Sequence, residues 1–578
     1  MTPRIYTSHV PDVPILNTSI FTRLFAPRAS GDIGGFSASL KVIWRYLSPT
    51  EFATTTRPSA KKGDTVLIYS PNSLAWPVAL YGSVAAGLRC TFANSAYTSH
   101  ELGYQYQDSG AKLVLTAEEG LRTVREMFAG LSLSKEDSDK RIVVLENNLR
   151  WAGGPASKTF PDACGLVILG DLLSRSALKL EEKFEGSAAN ETVYLCYSSG
   201  TTGKPKGVET THQNMTTMVD IVSGFPPLIP GEQPMLGILP FYHIYSVSNL
   251  LNYLFTVGCP VIIQTRFEPV EFCANIEKYK VVFAFLIPPV FVVLTRHPAI
   301  DKYDLSSLEY MLSGAAPLGA DLVKMVQQRL LSKRNPGGKC CITQGYGLTE
   351  TSPSTHMLEF HDADRKIGSV GHLLPNLKVH LVEDADGQVD AQEGQPGELW
   401  IHSPSGYLNN VSATKNAITP DGWFKTGDVA IRDKEGHYYI VERVKELIKY
   451  KGFQVPPAEL EALLFTHPEI ADAAVIGVES IEQVTELPRA YVIHAHPEQV
   501  NSAQAKAVFA NSIVKWIETK VAKHKFLRGG VGVIDVVPKS AAGKILRREL
   551  RDLAKQEVAR GEINTGFKAR LQFTRLLV

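Results

Sequence analysis

Residues Tyr194–Val208 read YLCYSSGTTGKPKGV, an apolar stretch that runs into three glycines, a set of hydroxyls and two lysines. Glycines such as Gly200 and Gly203 let backbone amides turn inward. Ser198, Ser199, Thr201 and Thr202 add donors, and Lys204 and Lys206 add positive charge. Such a loop suits a polyphosphate. It is not a Walker A loop, which needs Gly-Lys-[Ser/Thr] at its end; here Lys204 is followed by Pro205. A helix is expected to begin near His212.

Four further strings could do chemistry beside it. In Gln344–Thr351 (QGYGLTET) the glycines Gly345 and Gly347 free the face of Tyr346 for a base, while Thr349 and Glu350 offer a hydroxyl and a carboxylate. Gly422–Asp428 (GWFKTGD) sets Asp428 after a glycine turn, where a carboxylate could accept two ribose hydroxyls. Glu442–Glu461 (ERVKELIKYKGFQVPPAELE) carries Arg443, Lys445, Lys449 and Lys451 within nine residues, a pattern that in isolation is usually a solvated basic face. Pro538–Leu550 (PKSAAGKILRREL) puts Lys544 on a loop at the start of a helix, a long cation able to reach both a carboxylate and a phosphate.

In this order the strings resemble the adenylate-forming superfamily of acyl-CoA synthetases, peptide-synthetase adenylation domains and beetle luciferases. The likeness is greatest to 4-coumarate:CoA ligase-like acyl-CoA ligases and extends roughly from Lys62 to Leu550. It implies that Gln344, Gly345, Tyr346, Gly347 and Thr349 contact ATP, with Tyr346 on adenine and Thr349 on the α-phosphate. Glu350 would help hold Mg2+, Asp428 and Arg443 would take the ribose, and Lys544 would be catalytic. Lys445 would be a hinge, with Lys451 and Gly452 on the CoA side. The co-substrates implied are ATP with Mg2+, a carboxylic acid and CoA.

In Pro240–Asn252 (PFYHIYSVSNLLN), His243 stands where similar enzymes place a histidine beside the reacting carboxylate, with Tyr245 and Asn249 toward the acid's tail. Ala315 and Ala316 in SGAAPL make a small-residue wall suited to a flat ring. That segment of Pro240–Asn252 holds no acidic residue to balance an ammonium group, which disfavours an amino-acid substrate. An aryl or arylalkenoic acid is the expected substrate. A medium-chain fatty acid, a luciferase-like monooxygenase and an inactive binding-only relative are the alternatives.

These residues need a large scaffold, and 578 residues exceed the usual single domain. Apolar runs such as Asp64–Ser70, Lys112–Thr116, Val281–Leu286 and Leu308–Leu312, each followed by a helical pattern, predict layered α/β structure with largely parallel sheets. Short β-like pieces over Val370–Ile440 predict a compact antiparallel or β-barrel-like subdomain. A smaller α/β unit follows, with a helix expected over Ala503–His524 and a strand over Val531–Val537. The expected organisation is a large AMP-binding domain over 1–444 and a small mobile domain over 445–578.

Sixty basic residues against 59 acidic give a net charge of +1, so no global field draws the chain to nucleic acid. The longest apolar run, Val281–Leu294, is shorter than the ~20 residues of a spanning helix and is broken by Pro288–Pro289. Seven scattered cysteines without CxxC spacing fit a reducing compartment. With no signal-peptide pattern and a Leu576-Leu577-Val578 end in place of Ser-Lys-Leu, a cytoplasmic location is expected. Between Phe25 and Gly63, and again over the tail 562–578, the wording departs from the family.

Overall fold

A computed structural model describes residues 3–25, 60–145, 165–173, 181–198, 205–225, 229, 231–332, 338–402, 405–451, 453–480, 483–540 and 543–563. Ser199, Gly200, Thr201, Thr202, Gly203, Lys204 and Gly452 lie outside the described residues, as do most of the divergent segment and of the tail.

Thr65–Tyr69 (TVLIY) is buried at every position, so both faces of its sheet must be covered, and a parallel sheet results. It lies inside a seven-stranded sheet in the order Val167–Ile168, Ile142–Leu145, Ala111–Ala117, Thr65–Tyr69, Arg89–Ala93, Thr192–Ser198, Lys206–Thr211. All neighbours are parallel except the last pair. That last strand was expected as loop: the two ends of the phosphate loop form an antiparallel hairpin with Ser198 opposite Lys206. Thr211 then caps helix His212–Val222 through a reciprocal bond with Asn214, so the helix starts where the sequence placed it.

A second sheet orders Phe283–Leu286, Tyr310–Ser313, Cys341–Gly347, Ser354–Met357 and His372–Leu373, parallel over its first three strands and antiparallel after. Trp76, Tyr194, Phe241 and Phe285 are fully enclosed in the core shared by these two sheets, and Cys90, Cys196, Cys259 and Cys273 pack there as small apolar side chains.

The Val370–Ile440 region is antiparallel: Lys378–Val382, Gly397–His402, Trp423–Arg432 and Tyr438–Arg443 pair in sequence. Ile5–Thr7 adds the outer strand against Lys378–Val382. Its neighbouring prolines hid it in the sequence.

Beyond Arg443, strands Ile470–Ser480, Thr485–His494 and Val531–Val533 form a three-stranded sheet over a separate core that includes Leu460, Val475 and Ile513. Helix Ala503–Glu518 is shorter than expected because its buried stripe of Phe509, Ile513 and Ile517 ends there, and further turns would bury little. The strand from Val531 stops at Val533, where its pairing with Ala490–Val492 runs out. Among the described residues no helix is long and apolar enough to cross a membrane.

Candidate active site

A cleft of about 760 Å3 lies where the three larger sheets meet the loop bearing Lys544. Ser198 and Lys206 enter from the phosphate-loop hairpin, Tyr346, Thr349 and Glu350 from the end of strand Cys341–Gly347 and the turn after it. His243, Tyr245, Asn249 and Ala315 line another part, and Gly345, Gly347, Arg443, Lys445 and Lys544 complete the predicted set found on its wall. A second cavity of about 460 Å3 adjoins it, sharing Ala315, Tyr346, Arg443 and Lys544 and adding Ala316 and Asp428.

Asp428 and Arg443 are cross-strand partners, and their side chains meet at 3.0 Å (Arg443 Nε to Asp428 Oδ1). The other oxygen, Oδ2, accepts a 2.6 Å hydrogen bond from the phenol of Tyr346. Burial first, then the Asp428 charge, pushes the Tyr346 phenol well above its ordinary range, so it stays a donor. Asp428 in turn raises the Arg443 guanidinium against the opposing effect of burial. The carboxylate is held by the Tyr346 phenol on one oxygen and the Arg443 charge on the other, while each oxygen keeps a lone pair for a further hydroxyl.

Glu350 is buried, and its Oε1 accepts from Ser198 Oγ at 3.0 Å and Tyr407 Oη at 2.7 Å. Oε2 has no protein donor among the described residues. One anchored carboxylate with an open oxygen, beside Ser198, fits a magnesium ion that takes its other ligands from phosphate and water. Lys206 lies 4.8 Å over the Tyr407 ring, which fixes its direction. Tyr104 Oη donates to the Pro205 carbonyl at 2.9 Å and anchors the end of the loop. Tyr407 and Tyr104 were missed because neither sits in a chemical string; only their partners reveal them.

His243 accepts the Tyr245 amide on Nδ1 at 3.2 Å. Burial, and after it the Lys544 charge, lowers its pKa to about 4, so the ring is neutral with its proton on Nε2. Tyr245 stands edge-on to Phe285 at 6.0 Å, and a Cβ at Gly314 would fall 2.9 Å from its ring. Asn249, buried in the π-helical stretch Val247–Tyr253, donates to the Tyr245 carbonyl at 2.9 Å. Ala315 has φ of +69°, an unusual conformation for alanine, at the edge of this pocket.

Lys544 follows Gly543, whose φ of +79° makes the turn into the cleft. Its carbonyl accepts the Ser540 amide at 2.8 Å, and its amide donates to Ser540 Oγ at 3.2 Å. Burial first, then the Arg443 charge, lowers its pKa. Three residues on, the buried Arg547 bonds Glu446 at 3.0 Å, Glu461 through both arms of its fork, and the Val475 carbonyl at 2.9 Å. That network, which the sequence reading did not single out, roots the helix directly behind Lys544.

Other predicted residues are placed differently. The amide of Gln344 is used on both sides by the Leu318 backbone (2.9 and 3.1 Å) and so braces the Ala315–Leu318 loop. Lys451 is exposed, away from the cleft lining, with its amide on Thr485 Oγ1 at 2.7 Å.

The model of the AMP-binding enzyme family matches residues 56–408, and that of the AMP-binding enzyme C-terminal domain matches 459–544. The chain belongs to the AMP-binding enzyme family. This family member is 34% identical over 504 residues to 4-coumarate-CoA ligase 1 of Narcissus pseudonarcissus, covering 86% of this chain and 85% of that one. It is 32% identical over 566 residues to 4-coumarate--CoA ligase-like 4 of Oryza sativa subsp. japonica, covering 95% and 96%. Its fold matches the crystal structure of the anthranilate CoA ligase AuaEII in complex with anthranoyl-AMP, with a TM-score of 0.77 at 21% identity, over 95% of this chain and 99% of that one.

Proposed function

We propose that this ligase joins an aryl or arylalkenoic acid to the thiol of CoA through an acyl-adenylate, using ATP with Mg2+. The enzyme class, an AMP-forming acid–thiol ligase, accords with family membership and with relatives matched over most of their length. The observation that carries the finer reading is the meeting of Lys544, His243, Tyr346 and Arg443 on one cleft, with Asp428 bonded to the last two from the adjoining cavity. A pocket lined by Tyr245 and Ala315, with no acidic residue in Pro240–Asn252, favours an uncharged aromatic tail. The relatives named for 4-coumarate point the same way.

A free carboxylate repels a thiol and carries no leaving group. In the first half-reaction a carboxylate oxygen of the acid bonds to the α-phosphorus of ATP as the bond to pyrophosphate breaks. Lys544 supplies positive charge between the two approaching anions, and His243 donates Nε2–H to the acid's carboxylate. Tyr346 receives adenine, Asp428 and Arg443 the ribose, and Thr349 the α-phosphate. Ser198–Lys206 holds the departing pyrophosphate. Magnesium, when bound, neutralises phosphate charge, and Glu350 would hold it. In the second half-reaction the CoA thiol loses its proton to solvent, its sulfur bonds to the carbonyl carbon, and AMP departs with the electrons of the anhydride bond.

The halves need different partners at one carbon. Residues 445–578 accordingly turn about Lys445 between them, bringing Lys451 and Gly452 to the CoA side. The test is a panel of aromatic and aliphatic acids assayed for ATP–pyrophosphate exchange, then for CoA-dependent AMP release. Exchange with aromatic acids that becomes AMP release on adding CoA is the expected result. Exchange with aliphatic acids alone overturns the aryl assignment, and light or oxygen uptake without CoA-dependent release overturns the acceptor.

A further inference from the structure

Helix Pro288–Arg296 spans the join between the body and the residues after Arg443. At its start, Ile287 and Pro289 press against Gly543, where an added Cβ would meet both at 3.0 Å; Lys544 is the next residue. At its far end, Arg296 reaches across to the chain that follows helix Pro457–Leu464. Its Nη2 donates to the Phe465 carbonyl at 2.8 Å and the His467 carbonyl at 3.2 Å, and Nη1 donates to the Ile470 carbonyl. Phe465 is the C-cap of that helix, so a guanidinium sits at the negative end of its dipole, on carbonyls that lack helical partners. Between the two ends, Gly319 approaches Ala462 so closely that an added Cβ would come within 2.8 Å of the alanine methyl. Arg329 in turn donates to the Leu294 and His297 carbonyls at 3.3 and 3.1 Å, which steadies the turn from which Arg296 extends.

We propose that Arg296 is a positioning residue for adenylation: a releasable latch that clamps the small unit against the body and so keeps Lys544 in the cleft. The inference rests on the acyl-adenylate reading above. Among the described residues the partners of Arg296 are carbonyl oxygens, with no carboxylate. A latch onto neutral carbonyls is strong enough to bias one pose, yet it leaves no buried anion behind when the unit turns away. Arg296 lines neither cavity, so it acts only through Lys544.

The full-length enzyme is assayed for both half-reactions, ATP–pyrophosphate exchange and acyl-CoA formation from supplied acyl-adenylate. Arg296→Ala is expected to slow exchange by about tenfold or more, as withdrawing charged hydrogen bonds from one of two poses does, with thioester formation within about twofold of the parent. Arg296→Lys restores part of the exchange. Gly319→Ala, which wedges the same join without touching Arg296, gives the same split and stands in if Arg296→Ala does not fold. Equal loss of both half-reactions, or exchange unchanged in both alanine variants, overturns the latch. A parent enzyme with no exchange on any acid overturns the functional reading itself, and the latch with it.

Discussion

The phenol of Tyr346 and the carboxylate of Asp428 are joined by a 2.6 Å hydrogen bond across two sheets, since Tyr346 ends a strand of the second and Asp428 lies within the antiparallel third. The ring proposed to receive adenine and the carboxylate proposed to receive ribose are therefore one rigid unit. Tyr346→Phe keeps the ring and removes the bond. A hydrogen bond to a charged group contributes about 1.5–3 kcal/mol, so KM for ATP should rise about tenfold with kcat little changed. Steady-state kinetics in ATP check this; an unchanged KM would show the bond to be idle.

Asp428→Asn should do more harm than Tyr346→Phe. It removes the counter-charge of Arg443, which sits 3.0 Å away and half-buried, and the uncompensated guanidinium is costly. Weaker ATP binding together with a lower melting temperature is the expected pair of results. Calorimetry and nucleotide titration on the same preparation measure both.

Lys544→Ala should abolish adenylate formation while leaving thioester formation from supplied acyl-adenylate largely intact. The pH profile adds a second check. The Lys544 ammonium is held below the ordinary lysine range by burial and then by Arg443, and the role proposed for it in adenylation needs its charged form. As pH rises through that lowered value the proton is lost and exchange falls, so the alkaline limb lies below the ~10.4 of a free lysine. Lys544→Arg, which does not titrate there, should remove the limb from whatever activity it retains. His243, at about 4, contributes no limb near neutrality.

Glu350→Gln should raise the magnesium concentration needed for half-maximal exchange by about an order of magnitude, because a neutral amide is a poorer ligand for a hard cation. Tyr407→Phe, which only frees Glu350 Oε1 from its 2.7 Å bond, should raise it less. Magnesium titrations at fixed ATP distinguish them; identical curves for both variants and the parent would dismiss Glu350 as the ligand.

Gly314→Ala places a methyl 2.9 Å from the Tyr245 ring, which can yield only by moving. KM for extended arylalkenoic acids should rise several-fold, with KM for ATP constant and small benzoic acids less affected. A uniform loss across all acids would place Tyr245 outside the acyl pocket.

What the sequence determined by itself is local chemistry and local pattern. Gly and hydroxyl spacing around Lys204 and Lys206 pointed to a phosphate loop and excluded a Walker A loop, because both patterns depend on a dozen consecutive residues. The unbroken apolar run at Thr65–Tyr69 announced a parallel strand, since burial on two faces leaves no alternation. Such signals fade where an element draws its stability from distant partners. Ile5–Thr7 becomes a strand only because Lys378–Val382 offers an edge, and Lys206–Thr211 only because Thr192–Ser198 does.

The tertiary structure alone decided which chemical groups meet. Tyr407 anchors Glu350 from 57 residues away, and Arg296 reaches carbonyls 169 to 174 residues beyond it. It also gave the Gln344 side chain a second task, bracing Leu318, because a buried amide satisfies itself on the nearest open backbone. The physical reason is that hydrogen-bond partners are chosen by how packed sheets bring their ends together. Spacing along the chain carries the repeat of each strand and helix, but not the angle at which one layer comes to rest on the next.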